Sequence, residues 1–107
     1  MNLSMGCWRL SEAGRLVGEI HVDDSDFPWL LGRFVAQDGY VPWAAVFARE
    51  LALLEADDLG AEWEQLYDLL NAELDLVDPR GRTVAEFLLH VDSDAGPAWF
   101  RWLVEDE

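Results

Sequence analysis

The chain has 107 residues, a formal net charge of −15 at pH 7, 51% hydrophobic residues and 12% aromatic residues. This length suits one domain with its own core, and the apolar content argues against intrinsic disorder. All seven basic residues are Arg, and a surface this acidic repels nucleic acid and anionic membranes while it attracts basic proteins and cations. We therefore expect neither a nucleic-acid partner nor a membrane partner.

The single cysteine, Cys7, excludes a disulfide framework and a cluster of thiolate metal ligands. Residues 1–6 lack the basic and apolar segments of a secretion signal. The longest uncharged apolar run, residues 40–48, contains Pro42 and is far too short to span a bilayer. A cytoplasmic location is the expectation that follows.

The first third of the chain alternates in the manner of β-strands. Two alternating runs, residues 7–11 and 15–22, flank a Gly-containing turn at residues 12–14 and predict a β-hairpin. The apolar face of the second run is predicted to consist of Leu16, Gly18, Ile20 and Val22. A third strand is predicted over Trp29–Ala36, before the turn residues Asp38 and Gly39.

Two amphipathic helices are predicted in the middle of the chain. Apolar residues recur at helical spacing over Trp43–Ala56, after Pro42, and again over Ala61–Glu73. Residues 41–78 hold ten acidic residues against one basic residue, Arg49. The acidic residues assigned to the outer faces and the connection are Glu50, Glu55, Asp57, Asp58, Glu62, Glu64, Asp68 and Glu73.

Three further strands are predicted after the second helix from alternating or short apolar runs. They cover residues 74–77, Thr83–Val91 and Ala98–Val104, and the turn Asp78–Gly81 separates the first two. The order is therefore β-β-β-α-α-β-β-β, in one domain over residues 1–107. Because the connections are of hairpin length, we predict an α+β fold: a mostly antiparallel sheet of five to six strands with the helix pair packed on one face.

One sequence motif occurs twice in the chain. Residues 20–29 and 89–99 each contain an apolar run ending in His-Val-Asp, followed by a Ser-Asp turn, a Pro and a Trp. Residues two apart on a strand share a side, so each copy presents an imidazole and a carboxylate together. If the two strands lie side by side, His21, Asp23, His90 and Asp92 form a divalent-metal site for Zn²⁺, Mn²⁺ or Fe²⁺. Further candidate metal ligands are the carboxylates of Asp24, Asp26 and Asp94.

The same residues have a structural interpretation, in which each His ends a strand and hydrogen-bonds a neighbouring carboxylate. Catalysis without a metal has little support, because the sequence has neither a glycine-rich phosphate loop nor a nucleophile elbow. Glu19 and Glu86 are the acid–base pair that such a mechanism would use, with a histidine as proton shuttle. We therefore expect a binding protein rather than an enzyme, and no catalytic residues.

The acidic helical side predicts a module that binds a basic protein, as an inhibitor, an immunity protein or a regulator. The expected contact residues are Glu55, Asp57, Asp58, Glu62, Glu64 and Asp68, together with Trp29 and Trp99. The alternative is a protein that binds a divalent metal or a small ligand at the two His-Val-Asp strand ends. A homodimer formed through the sheet edge or through the two tryptophans is a third interpretation. No other cofactor is expected.

Overall fold

The computed structural model describes residues 5–103 of the chain. Its six strands are β1 (Gly6–Glu12), β2 (Arg15–Asp26), β3 (Trp29–Ala36), β4 (Asp75–Val77), β5 (Glu86–Val91) and β6 (Pro97–Leu103). A 3₁₀ helix (Asp38–Trp43) leads into α1 (Ala44–Glu55), and α2 (Ala61–Glu73) follows. Val104, the last residue of the final predicted strand, lies outside the described residues.

All six strands belong to one sheet in the order β4-β1-β2-β3-β6-β5. Every neighbouring pair in this sheet is antiparallel. The turn between β1 and β2 places Ala13 and Gly14 at positive φ, as in the tight turns that follow the natural twist of a hairpin. The predicted α+β fold, with two helices packed against a mostly antiparallel sheet, is confirmed.

The sheet curves strongly around its apolar face. Trp8 of β1 contacts Phe100 and Trp102 of β6, with ring centroids 4.9 and 5.0 Å apart. Two strands, β2 and β3, lie between β1 and β6. In a flat sheet, three strand spacings would separate such residues by about 14 Å. The core therefore lies inside a concave sheet, where Trp8 and Phe100 are buried.

The helices complete this core from the open side. Phe47 of α1 and Leu70 of α2 are fully buried, and both belong to the same cluster as the sheet residues. Tyr40 and Trp43 of the 3₁₀ helix extend the cluster, and the Phe34 and Tyr40 rings lie 5.2 Å apart. Neither α1 nor α2 has the length and apolar character that crossing a membrane requires, and the same holds for every described helix.

Helix α2 also covers the free edge of β5. The side-chain amide of Asn71 accepts a hydrogen bond from the Phe87 backbone N–H and donates one to the Phe87 carbonyl, at 3.0 and 3.1 Å. The Tyr67 hydroxyl donates to the Leu89 carbonyl at 3.4 Å. These contacts satisfy backbone groups that an exposed edge strand would offer to another chain. The second helix is thereby fixed to the sheet by polar as well as apolar contacts.

A bulge in β2 changes which of its residues point into the core, compared with the prediction from the sequence pattern. Leu10 pairs with Gly18 and Ser11 pairs with Leu16, so Val17 has no partner on β1. Val17 is fully buried, whereas Leu16 is only half-buried. The inserted residue reverses the alternation at this point, and the predicted grouping of Leu16 with Gly18 is wrong for that reason.

Candidate functional site

The surface around the connection between α1 and α2 is densely acidic. We call it the acidic corner, and its residues are Glu55, Asp57, Asp58, Glu62, Glu64 and Asp68. All six side chains are exposed. Of these six, only Glu62 has an ion-pair partner among the described residues. The other five carboxylates have no base within ion-pair distance there, although Asp58 lies close enough to Arg49 to contribute to the rise of its pKa, so the surface is strongly negative.

Glu62 is held by the only basic residue of the helical segment. Arg49 of α1 donates from Nε and Nη2 to the two Glu62 carboxylate oxygens, at 2.7 and 2.8 Å. These hydrogen bonds lower the pKa of Glu62 and raise that of Arg49. The ion pair links the two helices across the surface. The charge of Asp58 adds to the rise of the Arg49 pKa, so Arg49 interacts with two carboxylates of this surface.

The end of α1 has a conformation that favours glycine, but aspartate occupies it. Asp57 has φ of 56°, the Asp57 N–H donates to Leu54 and the Asp58 N–H donates to Leu53. This is the Schellman pattern, in which the residue after the C-cap is left-handed and usually Gly. The last carbonyls of a helix also repel negative charge. Asp57 is therefore unfavourable for local stability because of both its backbone conformation and its charge, and Asp58 because of its charge.

Two exposed leucines accompany these carboxylates. Leu59 is 44% exposed in the connection, and Leu69 is 40% exposed on α2. Leu69 lies seven residues, or about two helical turns, after Glu62 and so shares its side of the helix. The acidic corner thus combines charge with apolar area, as protein–protein interfaces do.

A second polar arrangement is buried between the helices and β5. We call it the buried polar centre, and it consists of Glu50, Trp63 and His90. Nδ1 of His90 lies 3.1 and 2.9 Å from the two Glu50 carboxylate oxygens, and the Trp63 indole N–H donates to Glu50 at 3.0 Å. Glu50 is 0% exposed and His90 is 2% exposed. Because the carboxylate also accepts the Trp63 N–H, we assign the proton of the His90–Glu50 bond to Nδ1.

Aromatic rings enclose the His90 side of this centre. The rings of Trp29, Trp99 and Tyr67 have centroids 5.8, 5.3 and 6.4 Å from the imidazole. Burial raises the pKa of Tyr67 well above its ordinary value, and the nearby Glu50 carboxylate adds to this rise. A lone buried carboxylate is costly, and these donors are what make burial of Glu50 tolerable. The centre therefore joins α1, α2 and β5.

Two surface grooves lie near this centre, and of its three residues only Trp63 lines one of them. The larger, about 610 Å³, runs between α2 and β5 past Tyr67, Asn71 and Arg101. The smaller, about 300 Å³, lies between α1 and residues 91–93. Neither Glu50 nor His90 lines either groove. The contacts of the buried polar centre thus support a structural role in holding the helices to the sheet.

The four predicted metal ligands do not come together. His21 is exposed on β2, whereas His90 is buried on β5, and β3 and β6 lie between these strands. The two histidines therefore lie on strands that are three positions apart in the sheet and do not pair. Asp23 is exposed within β2, and Asp92 is exposed directly after the end of β5. The condition that the two His-Val-Asp ends lie side by side is therefore not met.

The structure places the other predicted residues in separate regions. The six carboxylates expected at the partner surface lie at the end of α1, in the connection and on two sides of α2: Glu62 contacts Arg49 of α1, whereas Asp68 lines the groove between α2 and β5. Trp29 and Trp99 are half-buried against His90 instead, and the Arg101 guanidinium lies 6.0 Å from the centroid of the Trp29 ring. Glu50, expected on the acidic outer face, is fully buried, and that assignment is corrected by its contact with His90.

A cluster that the sequence analysis did not assemble lies on β1 and β2. Ligand atoms of Cys7, Glu19 and His21 all lie within 4.8 Å of one another. Nε2 of His21 and Oε1 of Glu19 are 3.1 Å apart. Burial and the Glu19 carboxylate raise the pKa of the Cys7 thiol. This cluster contains one of the four predicted metal ligands, His21, with two new companions.

Comparison of this chain with protein-family models, with curated proteins and with solved structures gives no match. The functional interpretation therefore depends on the geometry and chemistry of its own residues.

Proposed function

We propose that this protein is a binding module that engages a basic protein through the acidic corner. The observation that carries the proposal is the pair Asp57 and Asp58 at the end of α1. The left-handed conformation of Asp57 favours Gly, and the helix dipole disfavours the negative charge of both residues. Residues that reduce local stability in this way are typical of functional surfaces.

The charge of the surface supports a basic partner. Five carboxylates of the acidic corner have no ion-pair partner among the described residues, so a complementary surface of Arg and Lys can pair with them. Such complementarity accelerates association and rejects acidic competitors. Leu59 and Leu69 supply apolar contacts beside the charges. An inhibitor, an immunity protein or a regulator would each use a surface of this kind.

The proposal is tested with two variants of equal charge. One reverses three carboxylates of the acidic corner: Asp58→Lys, Glu64→Lys and Asp68→Lys. The control reverses three exposed carboxylates at the end of β2: Asp23→Lys, Asp24→Lys and Asp26→Lys. Glu62 is left intact because it pairs with Arg49. Any difference between the two variants then reports position rather than net charge.

An arginine-rich peptide serves as the probe, and its affinity is measured by titration calorimetry at low and moderate salt. We expect the variant of the acidic corner to bind at least about tenfold more weakly than the unmodified protein, since each lost charge pair contributes on the order of 1 kcal/mol. The β2 variant should lose much less. The proposal would be contradicted if the two variants lost affinity equally, or if the affinity of the unmodified protein did not change with salt concentration.

A further inference from the structure

Three side chains with different metal-binding atoms meet on one face of β1 and β2. Cys7 lies directly opposite His21 in the antiparallel pairing, and Glu19 precedes His21 by two residues on the same side of β2. One sulfur, one oxygen and one nitrogen from these residues lie within 4.8 Å of one another. Strand pairing creates the cluster, so the backbone already holds its members near one another.

We propose that Cys7, Glu19 and His21 form a zinc site, with a water molecule as fourth ligand. The choice of zinc rests on the types of ligand atom in the cluster. Thiolate and imidazole are ligands that Zn²⁺ accepts together with a carboxylate, whereas Mg²⁺ and Ca²⁺ take oxygen ligands. When the ion binds, the Cys7 thiol loses its proton to solvent and the sulfur becomes the ligand.

The distances suit such a site after a small side-chain adjustment. Tetrahedral zinc with bonds of about 2.0–2.3 Å places its ligand atoms about 3.3–3.8 Å apart. His21 Nε2 and Glu19 Oε1 are 3.1 Å apart, which is already close to this range. A sulfur–nitrogen or sulfur–oxygen pair on tetrahedral zinc is about 3.5 Å apart, so the Cys7 sulfur has to approach by about 1.3 Å at most, which side-chain rotation supplies.

The surroundings allow an ion to enter while the backbone stays fixed. The side chains of His21 and Glu19 are 52% and 29% exposed, so solvent reaches the cluster. On the reverse face of the same strands, Trp8 and Ile20 are buried in the core. Three ligands with one open position are typical of zinc sites that bind water or another small ligand. None of these residues belongs to the acidic corner, so this proposal stands apart from the proposed function.

Two arginines flank the cluster and oppose cation binding: Arg33, which pairs with His21 across β2 and β3, and Arg9, which provides a control. Arg9 pairs with Glu19 across β1 and β2, on the same face as Cys7. Its positive charge disfavours an additional cation, and it contributes no ligand atom. Replacement of Arg9 by Gln should therefore preserve zinc affinity or increase it. The three ligand substitutions, Cys7→Ser, Glu19→Gln and His21→Gln, should each weaken binding by at least about tenfold.

Cobalt substitution tests the site directly. Co²⁺ is added to the reduced protein without an affinity tag, and the absorption spectrum is recorded before and after displacement by Zn²⁺. We expect a thiolate-to-cobalt charge-transfer band in the unmodified protein and in Arg9→Gln, and loss of this band in Cys7→Ser. Zinc affinity is then obtained from the displacement, and far-UV circular dichroism confirms that each variant is folded.

The proposal is overturned by absence of the thiolate band in the unmodified protein. It is also overturned if folded Cys7→Ser and His21→Gln bind zinc as tightly as the unmodified protein, because exposed carboxylates elsewhere would then hold the ion. If one variant fails to fold, the band in the unmodified protein and the other two ligand variants still decide the outcome.

Discussion

Replacing Asp57 with Gly should stabilise the protein, although it removes a side chain. Asp57 lies at φ 56° after the last residue of α1, where Gly avoids a steric cost of about 1–2 kcal/mol. Removing the negative charge from the helix end adds about 0.3–1 kcal/mol. The greater freedom of Gly in the unfolded chain opposes these gains by about 0.5–1 kcal/mol. The net expectation is a stabilisation of about 1 kcal/mol.

Two further substitutions separate these contributions. Asp57→Asn removes the charge but tolerates the left-handed conformation about as well as Asp, so it should report the electrostatic part alone. Asp57→Ala removes the charge but increases the steric cost, because Ala lacks the short polar side chain that helps Asp and Asn adopt this conformation. The measurement is the free energy of unfolding in urea at pH 7, followed by tryptophan fluorescence. We expect stability to decrease in the order Gly, Asn, Ala.

An Asp57→Gly variant that is no more stable than the unmodified protein would refute this reasoning. Such a result would mean that the Asp57 side chain makes a stabilising interaction of its own. The aspartate would then need no functional explanation, and the principal support for the acidic corner as a binding surface would be lost.

Three other outcomes concern the remaining polar groups, each measured by unfolding. Glu50→Ala should destabilise the fold by about 3–5 kcal/mol, because it leaves His90 buried without its partner; a loss under 1 kcal/mol would contradict the structural role of the centre. The pKa of Tyr67 is raised in the folded state, so its contribution to stability is complete below the ordinary value of 10.0 and is lost as pH rises above it. Tyr67→Phe should weaken this alkaline loss, and an unchanged pH profile would argue against burial of the phenol. The pKa of Glu62 is lowered by Arg49, so its contribution is present above the ordinary value of 4.5 and is lost as pH falls; Glu62→Gln should flatten the acid limb of the stability curve, and an unaltered limb would contradict the pairing.

Helix α2 was predictable from the sequence because its apolar positions repeat without interruption. Trp63, Tyr67, Leu70 and Leu74 follow the helical period, and α2 extends over Ala61–Glu73 as predicted. The start of the first helix was less accurate. Residues 38–43 form a 3₁₀ helix that includes Pro42, so α1 begins at Ala44 rather than at Trp43.

The buried polar centre was missed because Glu50 was assigned by its charge and not by its position. It lies three residues after Phe47 and four before Leu54, on the side of α1 that the apolar spacing defines. This spacing is a signal that sequence reasoning can use. No local pattern, however, shows that the acid meets His90, because that contact joins residues 40 apart in the chain.

The repeated His-Val-Asp phrase is a case where similar local sequence has different surroundings. His21 lies on an inner strand of the sheet yet faces solvent, whereas His90 lies on an edge strand that α2 and two tryptophans cover. Strand order decides which strands are neighbours, and short motifs do not encode it. The Cys7–Glu19–His21 cluster was hidden for the same reason, because it depends on the register of β1 against β2.

The most direct measurement for the proposed function is a map of backbone amide shifts by nuclear magnetic resonance during titration with the arginine-rich peptide. The account predicts that the largest shifts lie within residues 55–69, and that they shrink as salt is added. Shifts of equal size at Asp23, Asp24 and Asp26, or no shifts in the acidic corner, would contradict it.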